Sequence, residues 1–128
     1  MGFNKFAVIG VGKYGSNIAR RLAEKGAQVF AFDNNEEKIE NIKDDVAFAV
    51  TLNSTDFKIL SSQKLEEMDA AVVAIGENFE ATILTAVHLM DLGVKRIIAR
   101  ANGADQRLIL EKIGERNLDT GGRGRFRY

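Results

Sequence analysis

Residues 5–15, KFAVIGVGKYG, decide how the chain is read. Phe6, Val8 and Ile9 lie in a short apolar run, and the five residues from Lys5 read as the first strand of a buried parallel sheet. The glycines at 10, 12 and 15 then let the backbone turn tightly into a helix. Each glycine answers a different demand: Gly10 permits the sharp turn, Gly12 leaves the backbone open to a pyrophosphate, and Gly15 lets the helix pack against the strand. Amides left unpaired at the helix start would then face the anion. The same spacing also arises in purely structural turns, so its surroundings matter. A strand pattern precedes it, and Tyr14, Ile18 and Leu22 recur every four residues after it, flanked by Ala19 and Ala23. Gly26 is expected to close this helix as a C-cap.

Asp33 completes the pattern. It ends a second strand, QVFAFD at Gln28–Asp33, and lies twenty-three residues after Gly10. That is close to the offset of roughly 20 residues at which a carboxylate accepts the hydroxyls of an adenosine ribose. A second reading stands beside it, in which Asp33 caps a helix beginning with Asn35 to Lys38. No arginine follows closely, so a 2′-phosphate would meet a carboxylate rather than a cation. NAD or an adenine mononucleotide is favoured over NADP.

Composition bounds the alternatives. A chain of 128 residues accommodates one domain and leaves no room for a separate catalytic one. Eighteen basic and eighteen acidic residues cancel, so no global field draws the chain to nucleic acid or anionic lipid. Near-neutrality also does little to oppose self-association. Cysteine is absent, which excludes disulfides and thiolate metal sites and agrees with a reducing compartment. The start has no signal-peptide pattern, and no apolar stretch approaches the roughly 20 residues of a membrane span. Any membrane connection is expected to run through a partner, not by direct insertion.

The strand–helix alternation continues down the chain. Glu36–Lys43 reads as a short helix with Ile39 and Ile42 on one face. Val46–Val50, VAFAV, reads as a third strand buried on both faces. Three strands with intervening helices form the mononucleotide-binding half of a doubly wound α/β fold with a parallel sheet. In TLNSTD, residues 51–56, Ser54 or Thr55 is expected either to cap the helix carrying Phe57 and Leu60 or to face the adenine ring. Asp69–Ile75 is a fourth strand. Its exit, Gly76, Glu77 and Asn78, either faces a ligand or makes a simple turn into the next helix.

That helix, Phe79–Leu92, carries a stripe of Ile83, Val87 and Met90, with Phe79, Leu84, Leu89 and Leu92 beside it. The apolar arc exceeds what one sheet face needs, which points to a subunit interface. His88, the one histidine of the sequence, has no second histidine at a motif spacing and reads as a packed residue rather than a base or metal ligand. Lys95–Ala101 is a fifth strand, with Arg100 near its end expected to pair with an acidic neighbour or to reach a phosphate. Asp105–Ile113 is a helix with Leu108, Ile109 and Ile113 as its buried set and Gly114 as its stop. Asn117–Asp119 is too short for a sixth strand. The Gly/Arg-rich end, TGGRGRFRY, reads as a disordered tail, a linker or a non-native terminus. Its arginines interleaved with aromatic residues also admit a nucleic-acid-binding reading.

Taken together and in order, KFAVIGVGKYG, FAFDNNEEK, TLNSTD, VVAIGENFEAT, IIARA and ILEKIG resemble the N-terminal (TrkA-N type) nucleotide-binding domain of RCK proteins. These are cytosolic regulators of Ktr/Trk potassium transport. The likeness runs from about Lys5 to Gly114. It implies a Rossmann-like domain over residues 1–116, with 117–128 as the tail, that binds NAD(H), ATP, ADP or AMP without turnover. It also implies homodimers or ring oligomers docked on a membrane potassium-translocating subunit, at the cytoplasmic face.

Carried onto this chain, the diphosphate loop is Gly10, Val11, Gly12, Lys13, Tyr14 and Gly15. Asp33 is the ribose carboxylate, with Asn34 and Lys38 beside it. Asn53, Ser54 and Thr55 form the adenosine-side loop. Ala74, Ile75, Gly76 and Glu77 form the wall at strand four, and Arg100 stands at strand five. Lys13 takes a place where Ktr-type regulators often carry arginine. It keeps the charge but loses the bidentate fork, which weakens the case for a triphosphate preference. Beyond Gly114 the resemblance leads one to expect a further strand, a crossover helix and a C-terminal domain. No catalytic residue and no metal ligand is assigned, and a divalent ion at the phosphates is left open. Two rival readings are the cofactor domain of an NAD-dependent oxidoreductase and a nucleic-acid module using Arg123, Arg125 and Arg127.

Overall fold

The computed structural model describes residues 4–119 and 126–127, with side chains described from 4 to 115. Six parallel strands form one sheet. In chain order they are β1 (Lys5–Ile9), β2 (Gln28–Asp33), β3 (Phe48–Thr51), β4 (Ala70–Val73), β5 (Ile97–Ala99) and β6 (Phe126–Arg127), and the sheet order is β3-β2-β1-β4-β5-β6. Five helices connect them: α1 (Lys13–Glu24), α2 (Glu36–Ile42), α3 (Phe57–Ser61), α4 (Phe79–Asp91) and α5 (Ala104–Asp119). After β1 the chain adds strands toward one edge, and from β4 it adds them toward the other. The carboxyl ends of β1 and β4 therefore open a crevice at the point where the order reverses.

Alternating residues of the central strands feed two cores. Val8, Val29, Ala31 and Val72 pack under α1 and α2 with Ala19, Ile39 and Ile42. Ala7, Ile9, Phe32, Ala71, Val73 and Ile97 pack on the other face with Leu60 of α3, Ala86 and Leu89 of α4, and Leu110 of α5. Strands covered on both faces need apolar residues at every position, which is why β1 and β4 read as continuous apolar runs. Gly26, with φ +94°, follows the α1 C-cap Lys25 and donates its N–H to Ala23 O, so the expected stop falls in place.

Several expectations are corrected. β3 is not buried on both faces. It is the sheet edge, and the five-residue α3 that follows is too short to cover it. Phe48 is left 55% exposed, stacked on Phe30 with ring centroids 4.9 Å apart. On α4 the buried residues are Thr82, Thr85, Ala86 and Leu89, and the apolar stripe of Ile83, Val87 and Met90 beside them is half-buried. Small residues inside bring this helix close to the sheet and turn larger ones outward, with Leu84 exposed. On α5, Leu110 is buried while Leu108 and Ile109 are exposed, so the expected buried set is rotated. Gly114 does not stop this helix, which runs through residues 117–119 to Asp119. Phe126 and Arg127, expected within a disordered tail, pair with Ile97 and Ile98 as a sixth strand. The remainder of the Gly/Arg-rich stretch, including Arg123 and Arg125, lies outside the described residues. Among the described residues no helix is long and apolar enough to cross a membrane.

Candidate functional site

The glycine turn shows three separate causes for its three glycines. Gly10 has φ +96°, and a Cβ there would stand 2.7 Å from Ala74 O and 2.9 Å from Ile75 N, so both the conformation and the approach of the β4 exit require glycine. At Gly15 a Cβ would overlap Gly10 O and sit 3.2 Å from Ala74 Cβ, so the close seating of α1 on β1 requires it. Gly12 is different. Its φ of −70° suits any residue, and a Cβ would meet nothing nearer than Lys38 Nζ at 3.8 Å. Neither strain nor packing demands glycine at 12. A side chain there would instead project toward Lys38 in the open crevice. Gly12 is the N-cap of α1, with no side chain capping the helix and no acidic residue in the first turn. Ser16 N–H is the first in the helix to reach an i−4 carbonyl, that of Gly12 at 2.9 Å. The preceding amides have no intrahelical acceptor and carry the positive end of the helix dipole.

Those amides open on a cleft of about 920 Å³. It is lined by Gly10, Gly12, Lys13 and Tyr14, by Asp33, Asn34 and Lys38, by Asn53, Ser54 and Thr55, and by Ala74, Ile75, Gly76, Glu77 and Arg100. Fifteen of the seventeen expected site residues thus share one cavity. Val11 and Gly15 do not line it. The Val11 side chain is buried under α1 and α2, and Gly15 serves packing. The structure adds Ile9, Asn17, Leu52, Asn78 and Ala81. Asn17 was reachable from sequence, being one helical turn beyond Lys13 on the same face. Leu52 was not, because its place depends on a hydrogen bond from its N–H to Asp33 O, 2.9 Å, across the β2–β3 pair.

Asp33 does not cap α2. Asn35 does, its Oδ1 accepting from Lys38 N at 3.1 Å. The Asp33 carboxylate accepts Val11 N–H on Oδ2 and Asn35 N–H on Oδ1, each at 2.9 Å, which fixes its plane at the cleft wall. Each carboxylate oxygen has acceptor capacity beyond one hydrogen bond, so a vicinal diol still finds two acceptors. Ser54 and Thr55 do not cap α3 either, since Asp56 Oδ1 accepts Ile59 N–H. The Ser54 hydroxyl is engaged by Thr85 at 2.8 Å. His88 is packed, as expected: Nε2 donates to Thr55 O at 3.0 Å, and its ring meets the Phe57 ring edge-on. Arg100 does not pair with an acidic neighbour. Its guanidinium lies 4.5 Å over the Tyr14 ring at the cleft, and no ion pair forms with it among the described residues. The cleft thus carries Lys13, Lys38 and Arg100 around the helix start, the anchored Asp33 carboxylate at the β2 end and Glu77 at the exit of β4. That charge pattern suits a ligand with an anionic centre and a hydroxylated sugar.

The fold and cleft define a Rossmann-like α/β nucleotide-binding domain. The chain belongs to the TrkA-N domain family, whose model matches residues 6–118. It is 40% identical over 110 residues to the Ktr system potassium uptake protein C of Bacillus subtilis, covering 86% of this chain and 50% of that protein. It is 34% identical over 113 residues to the Ktr system potassium uptake protein A of Vibrio alginolyticus, covering 88% and 51%. The chain therefore spans about half the length of these relatives. Among solved structures, the NAD(P)-binding domain of an exopolyphosphatase-related protein from Archaeoglobus fulgidus superposes with a TM-score of 0.72. The two are 25% identical, with 93% of this chain and 84% of that one covered.

Proposed function

We propose that the chain is a regulatory module that binds NAD(H) or an adenine nucleotide and, within a longer or assembled protein, controls a membrane potassium-translocating partner from the cytoplasmic side. The observation that carries this reading is Gly12: a glycine required by neither conformation nor packing, at an uncapped helix start, opening on a cleft whose far wall holds Asp33. Relatives at 40%, 36% and 34% identity are potassium uptake proteins by name, which favours regulation over the oxidoreductase alternative. In this reading Gly10, Gly12, Lys13 and Lys38 surround the diphosphate, Asp33 takes the ribose, and residues 53–55 face the adenosine. The role belongs to residues 1–116, with none assigned to the Gly/Arg-rich residues 117–128 or to nucleic acid.

Regulation needs only differential binding. A nucleotide that favours one arrangement of paired domains by about 1–3 kcal/mol shifts the partner's affinity roughly 5- to 150-fold, and hydrolysis is unnecessary. The pairing surface in this reading is the outward face of α4 and α5. There Leu84, Leu108 and Ile109 are exposed beside half-buried Ile83 and Val87. Calorimetric titration of nucleotide-stripped protein with NADH, NAD, ATP, ADP, AMP and a phosphate-only control tests the site. Micromolar binding that depends on adenosine supports it, and no binding by folded protein overturns it.

A further inference from the structure

The loop after β3 has little support of its own. β3 is a four-residue edge strand with an exposed outer face, and α3 beyond the loop has five residues, of which only Leu60 is buried. Within the loop, Asn53 Oδ1 accepts from Thr55 N at 3.0 Å and from Thr55 Oγ1 at 2.7 Å, which shapes the turn without attaching it to the rest of the domain. Leu52 N–H ties the start of the loop to Asp33 O, and Ser54 and Thr55 are attached by α4, at positions three residues apart. Thr85, fully buried, shares a 2.8 Å hydrogen bond with the largely buried Ser54 hydroxyl, and His88 Nε2 donates to Thr55 O at 3.0 Å. Earlier on the same face, the Thr82 hydroxyl is shared between Asn78 O of its own helix start, 3.3 Å, and Ile75 O, 3.4 Å, on the opposite wall of the cleft. A helix packed only to fill the apolar core would gain more from aliphatic residues, because buried hydroxyls must each find a partner. Here both tight bonds converge on one three-residue cleft wall.

We infer that Thr85 and His88 are positioning residues for the adenosine half of the ligand. Neither lines the cleft, and each acts through the loop that does: Thr85 holds Ser54 by its side chain and His88 holds Thr55 by its backbone. Together they set the distance between the loop and the Asp33 carboxylate, so that adenosine enters a wall already in place rather than one ordered at binding. This inference rests on the reading of the cleft as an adenine-nucleotide site.

The test compares Thr85→Val and His88→Leu with the conservative Thr85→Ser and His88→Gln, titrating each with ADP and AMP and recording ligand-free melts. Thr85→Val and His88→Leu should each weaken ADP and AMP alike by about three- to tenfold, the range of one lost hydrogen bond. The ratio of the two affinities should stay unchanged because the phosphate cradle is untouched. The Ser and Gln variants should recover most of the loss, each keeping a donor. Unchanged affinity in both disruptive variants, or a loss that the conservative variants do not recover, overturns the inference. So does a collapse of the ADP-to-AMP ratio, which would place the damage at the cradle. Failure of the unaltered chain to bind ADP overturns the site reading itself, and the inference with it.

Discussion

One substitution made at two glycines of the same loop should produce opposite results. At Gly10, alanine must adopt φ +96°, which costs an L-residue about 1–2 kcal/mol. Its Cβ also meets Ala74 O at 2.7 Å, Ala74 C at 2.8 Å and Ile75 N at 2.9 Å. These are backbone atoms of the adjoining strand exit, so relief requires β1 and β4 to separate, and overpacking of this kind adds about 1–3 kcal/mol. The total, about 2–5 kcal/mol, is a large part of a typical domain's stability. For a chain this long each kcal/mol moves the melting temperature by about 4 °C. Gly10→Ala should therefore melt about 8–20 °C lower.

At Gly12 the φ is already −70° and the nearest atom to the new Cβ is the mobile Lys38 Nζ at 3.8 Å. Losing glycine at the N-cap costs up to about 1 kcal/mol. Restricting the unfolded chain returns about 0.4–1 kcal/mol, so the melt should stay within about 4 °C of the unaltered chain. Binding should fall, because the methyl group occupies the approach to the helix amides. Losing one charge-assisted hydrogen bond corresponds to roughly 10- to 150-fold. A thermal melt by circular dichroism and a calorimetric ADP titration on both variants read the contrast. If Gly12→Ala binds ADP as tightly as the unaltered chain, or melts as low as Gly10→Ala, the division of labour among these glycines is wrong.

Asp33→Ala should abolish measurable adenosine-ligand binding and also lower the ligand-free melt by a few degrees, because it strands the N–H groups of Val11 and Asn35; an unchanged melt would mean that those hydrogen bonds are replaced by water. Replacing Leu84 and Val87 with glutamate should lower the mass in light scattering while leaving the melt nearly unchanged, since neither side chain is part of the buried core; an unchanged mass would remove the α4 face from the pairing surface. Raising the salt from 50 to 500 mM should weaken ADP binding, and Lys38→Ala should flatten that dependence by removing the cation beside Gly12; equal slopes in both proteins would place Lys38 away from the phosphates.

The parts of the site legible in the sequence were those governed by short-range backbone demands. A turn that needs glycine, a helix that needs a free N-terminus and a carboxylate at the end of the next strand all leave marks within thirty residues, and each lies in the cleft. The misreadings share one origin. VAFAV carries the pattern of a doubly buried strand, but whether a strand is covered depends on its place in the sheet and on the length of the helix after it. On α4 the apolar spacing marks Ile83, Val87 and Met90, whereas closeness to the sheet places Thr82, Thr85 and Ala86 inside. Asp33, Ser54 and Thr55 are of types that cap helices, but Asn35 and Asp56 stand nearer the helix starts and cap them.

The sequence by itself determined the α/β alternation, the glycine cradle and the carboxylate that faces it, because periodicity and turn chemistry are properties of neighbouring residues. Only the tertiary structure decided that Arg100 rests on Tyr14, that Asp33 anchors Val11 and Asn35, and that Thr85 and His88 hold the loop thirty-odd residues before them. Those pairings depend on strand order and on how closely each helix seats on the sheet, and distances across a fold are not written in the spacing along the chain.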